Sequence, residues 1–178
     1  MTEIVRIVEP TAAAVDRAQT VADSGIDVAA TRVGGTPTDG GVGSLATITA
    51  IRYAVFVVEQ GVDVAIEWDD SETVAEHVLL VHAGRPVGTA RVRRVDDALK
   101  CERIAVRASA RGAGWGDRLM DVCETIARER GVGECVLHAQ QRAAEFYNKQ
   151  GYDVVSEPFE EAGIPHVEMR LELTDGAE

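Results

Sequence analysis

Val106-Arg107-Ala108-Ser109-Ala110-Arg111-Gly112-Ala113-Gly114-Trp115-Gly116-Asp117-Arg118-Leu119-Met120 is the stretch on which the reading of this 178-residue chain turns. Ahead of it, Cys101-Glu102-Arg103-Ile104-Ala105-Val106 ends in alternating apolar residues, the period of a strand. Behind it, Leu119, Val122, Cys123, Ile126 and Ala127 recur at helical spacing. A glycine-rich turn therefore carries a strand into the N-terminus of a helix. Gly112, Gly114 and Gly116 let a ligand come close to the backbone. The helix start adds unpaired N–H donors and the positive end of its dipole. That combination suits a phosphate or a pyrophosphate.

Glycine-rich turns are common connectors, so the spacing has to narrow the reading. No Gly-Lys-Ser/Thr closes this one, which excludes a Walker loop. No acidic residue stands on a following strand at the distance of a dinucleotide fingerprint. The pattern present is Arg-x-x-Gly-x-Gly, at Arg111, Gly114 and Gly116. Charge agrees with it. From Arg103 to Arg118, Arg103, Arg107, Arg111 and Arg118 stand against Asp117 alone, in a chain whose net charge is −12. A basic island on an acidic protein fits a bound polyanion.

The acid excess argues against nucleic acid as a partner. Among the 18 basic residues only Lys100 and Lys149 are lysines, and a surface rich in carboxylates and poor in lysine suits high salt, where self-repulsion is screened. A halophilic source is therefore an expectation, tested by comparing stability at low and multimolar salt. No run reaches membrane-spanning length and no secretory signal appears, so a cytoplasmic protein with no membrane partner is expected. Cys101, Cys123 and Cys135 sit in apolar patterns and read as small buried hydrophobes. Cys135 and His138 would fall on opposite faces of a strand, and no second pair completes a zinc site, so no metal is expected.

Taken in order, the chain reads as a strand over 4–8, a helix over 11–22, a strand over 27–33 and a glycine-rich loop over 34–43. A helix over 45–58 follows, then a turn at 68–71. Strands over 77–82, 87–95 and 100–106 form an antiparallel meander. The helix of the opening stretch runs to about Arg130, followed by a strand over 134–139, a helix over 142–149 and strands over 152–156 and 166–173. Helices interposed between 100–106 and 134–139 allow a parallel crossover there, and the connection on to 152–156 fits either sense. Residues 1–43 form an N-terminal extension or the first strand and helix of the fold, and 44–174 the main domain.

From about Ile48 to Leu173 the chain resembles the GCN5-related N-acetyltransferases (GNAT), and within them the ElaA-like branch. The residues that carry this are Arg52-x-x-Val55-Phe56-Val57-Val58-Glu59-Gln60, Asp69-Asp70, Ala75-Glu76-His77, Arg103-Ile104-Ala105-Val106 and Arg111-Gly112-x-Gly114. Leu137-His138-Ala139-Gln140, Phe146-Tyr147-x-x-x-Gly151-Tyr152 and Gly163-Ile164-Pro165-His166 complete the set. The resemblance implies an α/β fold with a mixed, mostly antiparallel sheet, splayed into a V and flanked by helices. It implies acetyl-CoA as co-substrate, its pantetheine arm against the backbone of Ile104, Ala105 and Val106. The pyrophosphate would meet Arg111, Gly112, Ala113, Gly114, Trp115 and Gly116, and Gln140 stands where the family often has asparagine beside the pantetheine.

The same resemblance implies direct attack of a neutral primary amine on the thioester within a ternary complex. An alkylamine has a pKa of ~10, so it must lose a proton first. Glu59 belongs to the branch signature, and Glu102 shares strand parity with Ile104 and Val106; either is a candidate base, or an ion-paired surface carboxylate. Tyr147 matches the family tyrosine that protonates the departing thiolate. His77, His82, His138 and His166 read first as hydrogen-bonded structural histidines. Two functions stand: an N-acetyltransferase acting on a small-molecule or peptide amine, and a catalytically silent acyl-CoA-binding sensor. Homodimers are common in the family, and the sequence leaves the oligomeric state open.

Overall fold

The computed structural model describes residues 1–8 and 42–173. After β1 (Thr2–Val8), α1 (Val42–Arg52) runs on into a π-helical segment, Tyr53–Glu59, and α2 (Val64–Glu67) precedes a 3-10 turn, Asp70–Thr73. Three strands follow, β2 (Glu76–His82), β3 (Arg85–Val95) and β4 (Ala98–Val106), then a 3-10 turn, Ala108–Ala110, and α3 (Trp115–Glu129). The remainder is β5 (Glu134–Gln140), a 3-10 turn at Gln141–Ala143, α4 (Ala144–Asn148), β6 (Asp153–Val154), β7 (Phe159–Glu161) and β8 (Ile164–Glu172). The strand order is β1-β2-β3-β4-β5-β8-β6, with β7 paired to β8. Among the described residues no helix is long and apolar enough to cross a membrane.

The sheet is mixed, as a long helical crossover requires. β4 and β5, joined through α3, pair in parallel at Leu99↔Cys135 and Lys100↔Val136. The ladder stops there, while β5 goes on to Gln140 paired with β8. β1–β2, β5–β8, β6–β8 and β7–β8 are antiparallel. The connection after β5 thus settles in a way the sequence left open: β8 lies between β5 and β6.

Two compact units share the chain. The first holds residues 1–91 and 103–119, the second 92–102 and 120–178, and β3 and β4 each contribute to both. In the first, Ile7, Leu45, Ile48, Ile51, Val55, Leu79, Val81 and Ala105 form the core, with Val5, Ala46 and Phe56 packed against it. From Thr47 to Arg52 every residue of α1 is buried. A helix buried all round needs an apolar circumference, and Arg52 is the sole charge between residues 42 and 58. Gly88 on β3 is obligatory for packing. A Cβ there would stand 2.9 Å from the Ala105 carbonyl oxygen and 3.0 Å from Leu119 Cδ1.

In the second unit, Leu99 and Cys101 of β4, Met120, Cys123, Ile126 and Ala127 of α3, Cys135, Leu137 and Ala139 of β5, and Val167 and Met169 of β8 are buried. The three cysteines are free and buried. The neighbouring thiols of Cys123 and Cys135, together with burial, push the Cys101 thiol well above its ordinary value, which makes Cys101 a poor nucleophile.

Several elements differ from the sequence reading. The 45–58 helix changes to π geometry at Tyr53. Val42 and Gly43, expected in a loop, open α1. The strand expected over 152–156 shrinks to Asp153–Val154, and the helix over 142–149 divides into a 3-10 turn and α4. α2 and β7 were not expected. The helix at 11–22, the strand at 27–33 and the loop as far as residue 41 lie outside the described residues.

Candidate active site

In the first unit β4 delivers the chain through the Ala108–Ala110 turn into Arg111–Gly116 and the head of α3. Gly112 and Gly114 both have positive φ, +80° and +78°, a conformation L side chains rarely adopt. Residues 111–114 are exposed, and a Cβ at Gly112 would meet nothing within 4 Å. Open backbone at a helix N-terminus, with a guanidinium beside it, is what a pyrophosphate needs. Arg111 Nε donates to the Val106 carbonyl at 3.0 Å, which folds the side chain back over the turn. Trp115 packs against His82, ring centroids 4.7 Å apart.

Glu59 reaches the same turn. The π segment ends there, a geometry that often marks functional positions, and the Glu59 carboxylate accepts from Arg111 at 2.7 Å. Both side chains remain partly exposed.

Behind this turn the unit holds a charge network that sequence reasoning did not assemble. Arg52, 1% exposed, donates to Glu67 at 2.5 Å, to both oxygens of Glu72 at 2.9 Å and to the Glu67 carbonyl at 2.9 Å. Its guanidinium lies over the Trp68 ring, 4.2 Å from the centroid. Arg91, equally buried, donates to Glu72 at 2.5 Å and to both oxygens of Asp69 at 2.7 and 2.8 Å. His77 Nε2 lies 2.9 Å from the Glu72 carbonyl. Burial alone would raise the Glu72 and Asp69 carboxyls. The arginines beside them more than offset this, and both end below the ordinary carboxylate range. Burial also holds His77 below its usual value, hence neutral. The available signal was a lone arginine in an uncharged helix, followed by Glu67, Asp69 and Glu72.

Arg103 ties β4 to this network. Its Nε pairs with Glu67 at 2.9 Å and its Nη2 with Asp69 at 3.3 Å. Its φ is +52° within a strand, where such a value is uncommon for a residue with a side chain.

The second unit holds the other residues singled out in the sequence. Glu102 is engaged by Arg93 at 2.9 and 3.0 Å and by Lys100 at 3.4 Å. Gln140 ends β5, and Arg142 donates to its side-chain oxygen at 2.9 Å. Tyr147 is buried on α4, edge to face with Phe146 at 4.9 Å and with Tyr152 at 6.1 Å. Burial, with the Cys101 and Cys123 thiols near it, pushes its phenol well above the ordinary value. It is a weaker acid than free tyrosine.

Comparison with known proteins identifies the family. The family described as Acetyltransferase (GNAT) domain matches residues 46–173. The N-acetyltransferase YjcF of Bacillus subtilis (strain 168), itself uncharacterised, is 42% identical over 120 residues, covering 67% of this chain and 86% of YjcF. The protein ElaA of Escherichia coli (strain K12) is 34% identical over 137 residues, 74% of this chain and 90% of ElaA. The crystal structure of Escherichia coli ElaA aligns with a TM-score of 0.68 at 25% identity, covering 97% of this chain and 100% of that one.

Proposed function

Because the chain belongs to the GNAT acetyltransferase family, with ElaA among its relatives, we propose that it moves an acetyl group from acetyl-CoA to a primary amine by direct attack in a ternary complex. The observation that carries this is the Arg111–Gly116 turn at the head of α3, exposed from 111 to 114, with Gly112 and Gly114 at positive φ. Arg111 and the backbone N–H groups of 112–116 would hold the pyrophosphate. The backbone of Ile104, Ala105 and Val106 would bind the pantetheine arm as an added strand does, and an N–H near Val106 would polarise the thioester carbonyl. Gln140 would offer its amide to the same arm.

The neutral amine nitrogen forms a bond to the carbonyl carbon, the carbon–sulfur bond breaks, the nitrogen gives up one N–H proton to solvent, and the thiolate takes up a proton. Tyr147 would supply that proton. Tyr147→Phe keeps the ring, so acetyl-CoA affinity should hold while kcat and kcat/KM fall together. General acid catalysis contributes roughly 10²–10⁴-fold, and the buried phenol puts the expected loss at the low end. A kcat within about twofold of wild type would leave Tyr147 as packing and give the acid role to water.

Glu59 and Glu102 each serve a cation, and accepting a proton would cost each that contact. The expected outcome of Glu59→Gln and of Glu102→Gln is therefore a kcat/KM–pH profile parallel to wild type. A deficit confined to low pH in one variant would make that carboxylate the base.

The reading as a whole is tested by following thiol release from acetyl-CoA across a panel of alkylamines, diamines and lysine peptides, beside a calorimetric titration with acetyl-CoA. Turnover on an amine supports the enzyme. Binding without turnover on any amine would favour an acyl-CoA sensor, and absence of binding would remove both.

A further inference from the structure

One guanidinium in the first unit ties together three pieces of chain. Arg111 Nε donates to the Val106 carbonyl at 3.0 Å, and Arg111 Nη2 donates to Glu59 Oε2 at 2.7 Å. Val106 is the last residue of β4, Arg111 opens the glycine turn, and Glu59 ends the π segment.

The pieces are anchored from behind. Val55 lies in the core of the unit and Phe56 packs against it. The Gly61 and Val62 N–H groups donate back to the Val57 and Phe56 carbonyls at 3.1 and 2.9 Å. Gly61 makes that reversal at a φ of +72°. Glu59 therefore stands at a fixed corner, next to the exposed Val58. The Arg107 N–H donates to the Val87 carbonyl at 3.0 Å, and its side chain donates to the Pro86 carbonyl at 3.2 Å. The root of the glycine turn is thus held on β3. The Arg111 side chain, half exposed, can swing without moving any of this backbone.

Both partners of Arg111 compete with acetyl-CoA. The pantetheine arm would pair with the backbone of 104–106, and the Val106 carbonyl already accepts from Arg111. The pyrophosphate and the Glu59 carboxylate compete for the same guanidinium. A dianion brought onto Arg111 beside Glu59 would meet a like charge. The arginine–carboxylate bond is charge-assisted, hence stronger than a neutral one. Its partial exposure keeps it weak enough to exchange.

We propose, resting on the acetyl-transfer reading, that Glu59, Arg111 and Val106 form a latch that selects acyl-CoA against acyl thioesters without a phosphate. Glu59 holds the guanidinium on the Val106 carbonyl. The pyrophosphate draws Arg111 away from Glu59 and frees that carbonyl for an amide of the pantetheine arm. A thioester with no phosphate supplies no replacement anion, so it meets the latch closed. Glu59 is in this way a positioning residue, acting through Arg111, and needs to accept no proton.

The test compares acetyl-CoA with S-acetylpantetheine, which has the same thioester arm and no phosphate, on the full chain. Calorimetry gives the acetyl-CoA dissociation constant, and competition against acetyl-CoA gives that of acetylpantetheine. Arg111→Met should weaken acetyl-CoA about tenfold, through loss of a charge-assisted contact. The same variant should tighten acetylpantetheine about threefold, because the latch is gone. An arginine that only binds pyrophosphate would leave acetylpantetheine unchanged. Glu59→Gln should tighten both ligands about threefold, since a neutral amide holds the guanidinium less firmly. Urea midpoints should stay near wild type, because neither side chain is buried. The latch is overturned, while the acetyl-transfer reading stands, by any of three results. These are acetylpantetheine no tighter on Arg111→Met, acetyl-CoA no tighter on Glu59→Gln, and no competition by acetylpantetheine in wild type or either variant. Failure of wild type to bind acetyl-CoA would overturn both.

Discussion

Arg52→Met is expected to destabilise the protein by about 3–5 kcal/mol, the cost of removing one partner from a buried ion pair. Methionine keeps much of the side-chain stem but leaves Glu67 and Glu72 without the guanidinium that contacts both. Arg91 and Arg103 remain, yet their donors are already committed to Glu72, Asp69 and Glu67. Urea unfolding at neutral pH measures the loss. The double change Arg52→Met, Glu67→Gln should recover part of it, because it leaves Arg91 and Arg103 matched by Glu72 and Asp69 and so removes the stranded charge. A loss below about 1 kcal/mol for the single change would mean that water reaches these carboxylates.

Acid titration gives a second readout. Glu72 and Asp69 have folded-state pKa values below their unfolded ones. Their contribution is therefore complete above the unfolded carboxylate range, about pH 4, and is lost as pH falls through the folded values. Arg52→Met removes the chief attraction on Glu72, so acid unfolding of the variant should begin at higher pH.

Gly114→Glu is expected to raise the acetyl-CoA dissociation constant at least tenfold, on the order of 1.4 kcal/mol or more. The change sets a negative charge where the pyrophosphate would lie. It also sets a Cβ on a residue with φ of +78°, 3.7 Å from Asp117 Oδ2. Left-handed backbone costs an L residue roughly 1–2 kcal/mol. Gly114→Ala isolates that term, and the difference between the two variants measures the charge. The turn is exposed, so the fold should persist. Unchanged affinity by calorimetry would take this turn out of the cofactor site.

The elements legible in the sequence were those whose signal is local. The Arg111–Gly116 turn announced itself through glycine and arginine spacing, and α3 through its apolar period. The 85–95 and 98–106 strands followed from turns at Gly84 and Asp96-Asp97. β7 escaped because Phe159-Glu160-Glu161 is polar and three residues long, and it is a strand through its pairing with β8. α2 escaped likewise, a four-residue helix capped by the Asp63 side chain.

Glycine spacing, strand period and residue chemistry are properties of neighbours along the chain, so the sequence by itself determined the fold class, the family and the turn proposed to bind the cofactor. Partners distant in sequence had to be brought together by folding. Glu59 and Arg111 are 52 residues apart, Arg103 and Asp69 are 34, and His138 and Glu161 are 23. Any carboxylate in the sequence could serve as a base on paper. Which ones are tied to an arginine and which pair with a histidine depends on register and on burial. Those are set by packing across strands, and only the tertiary structure decided them.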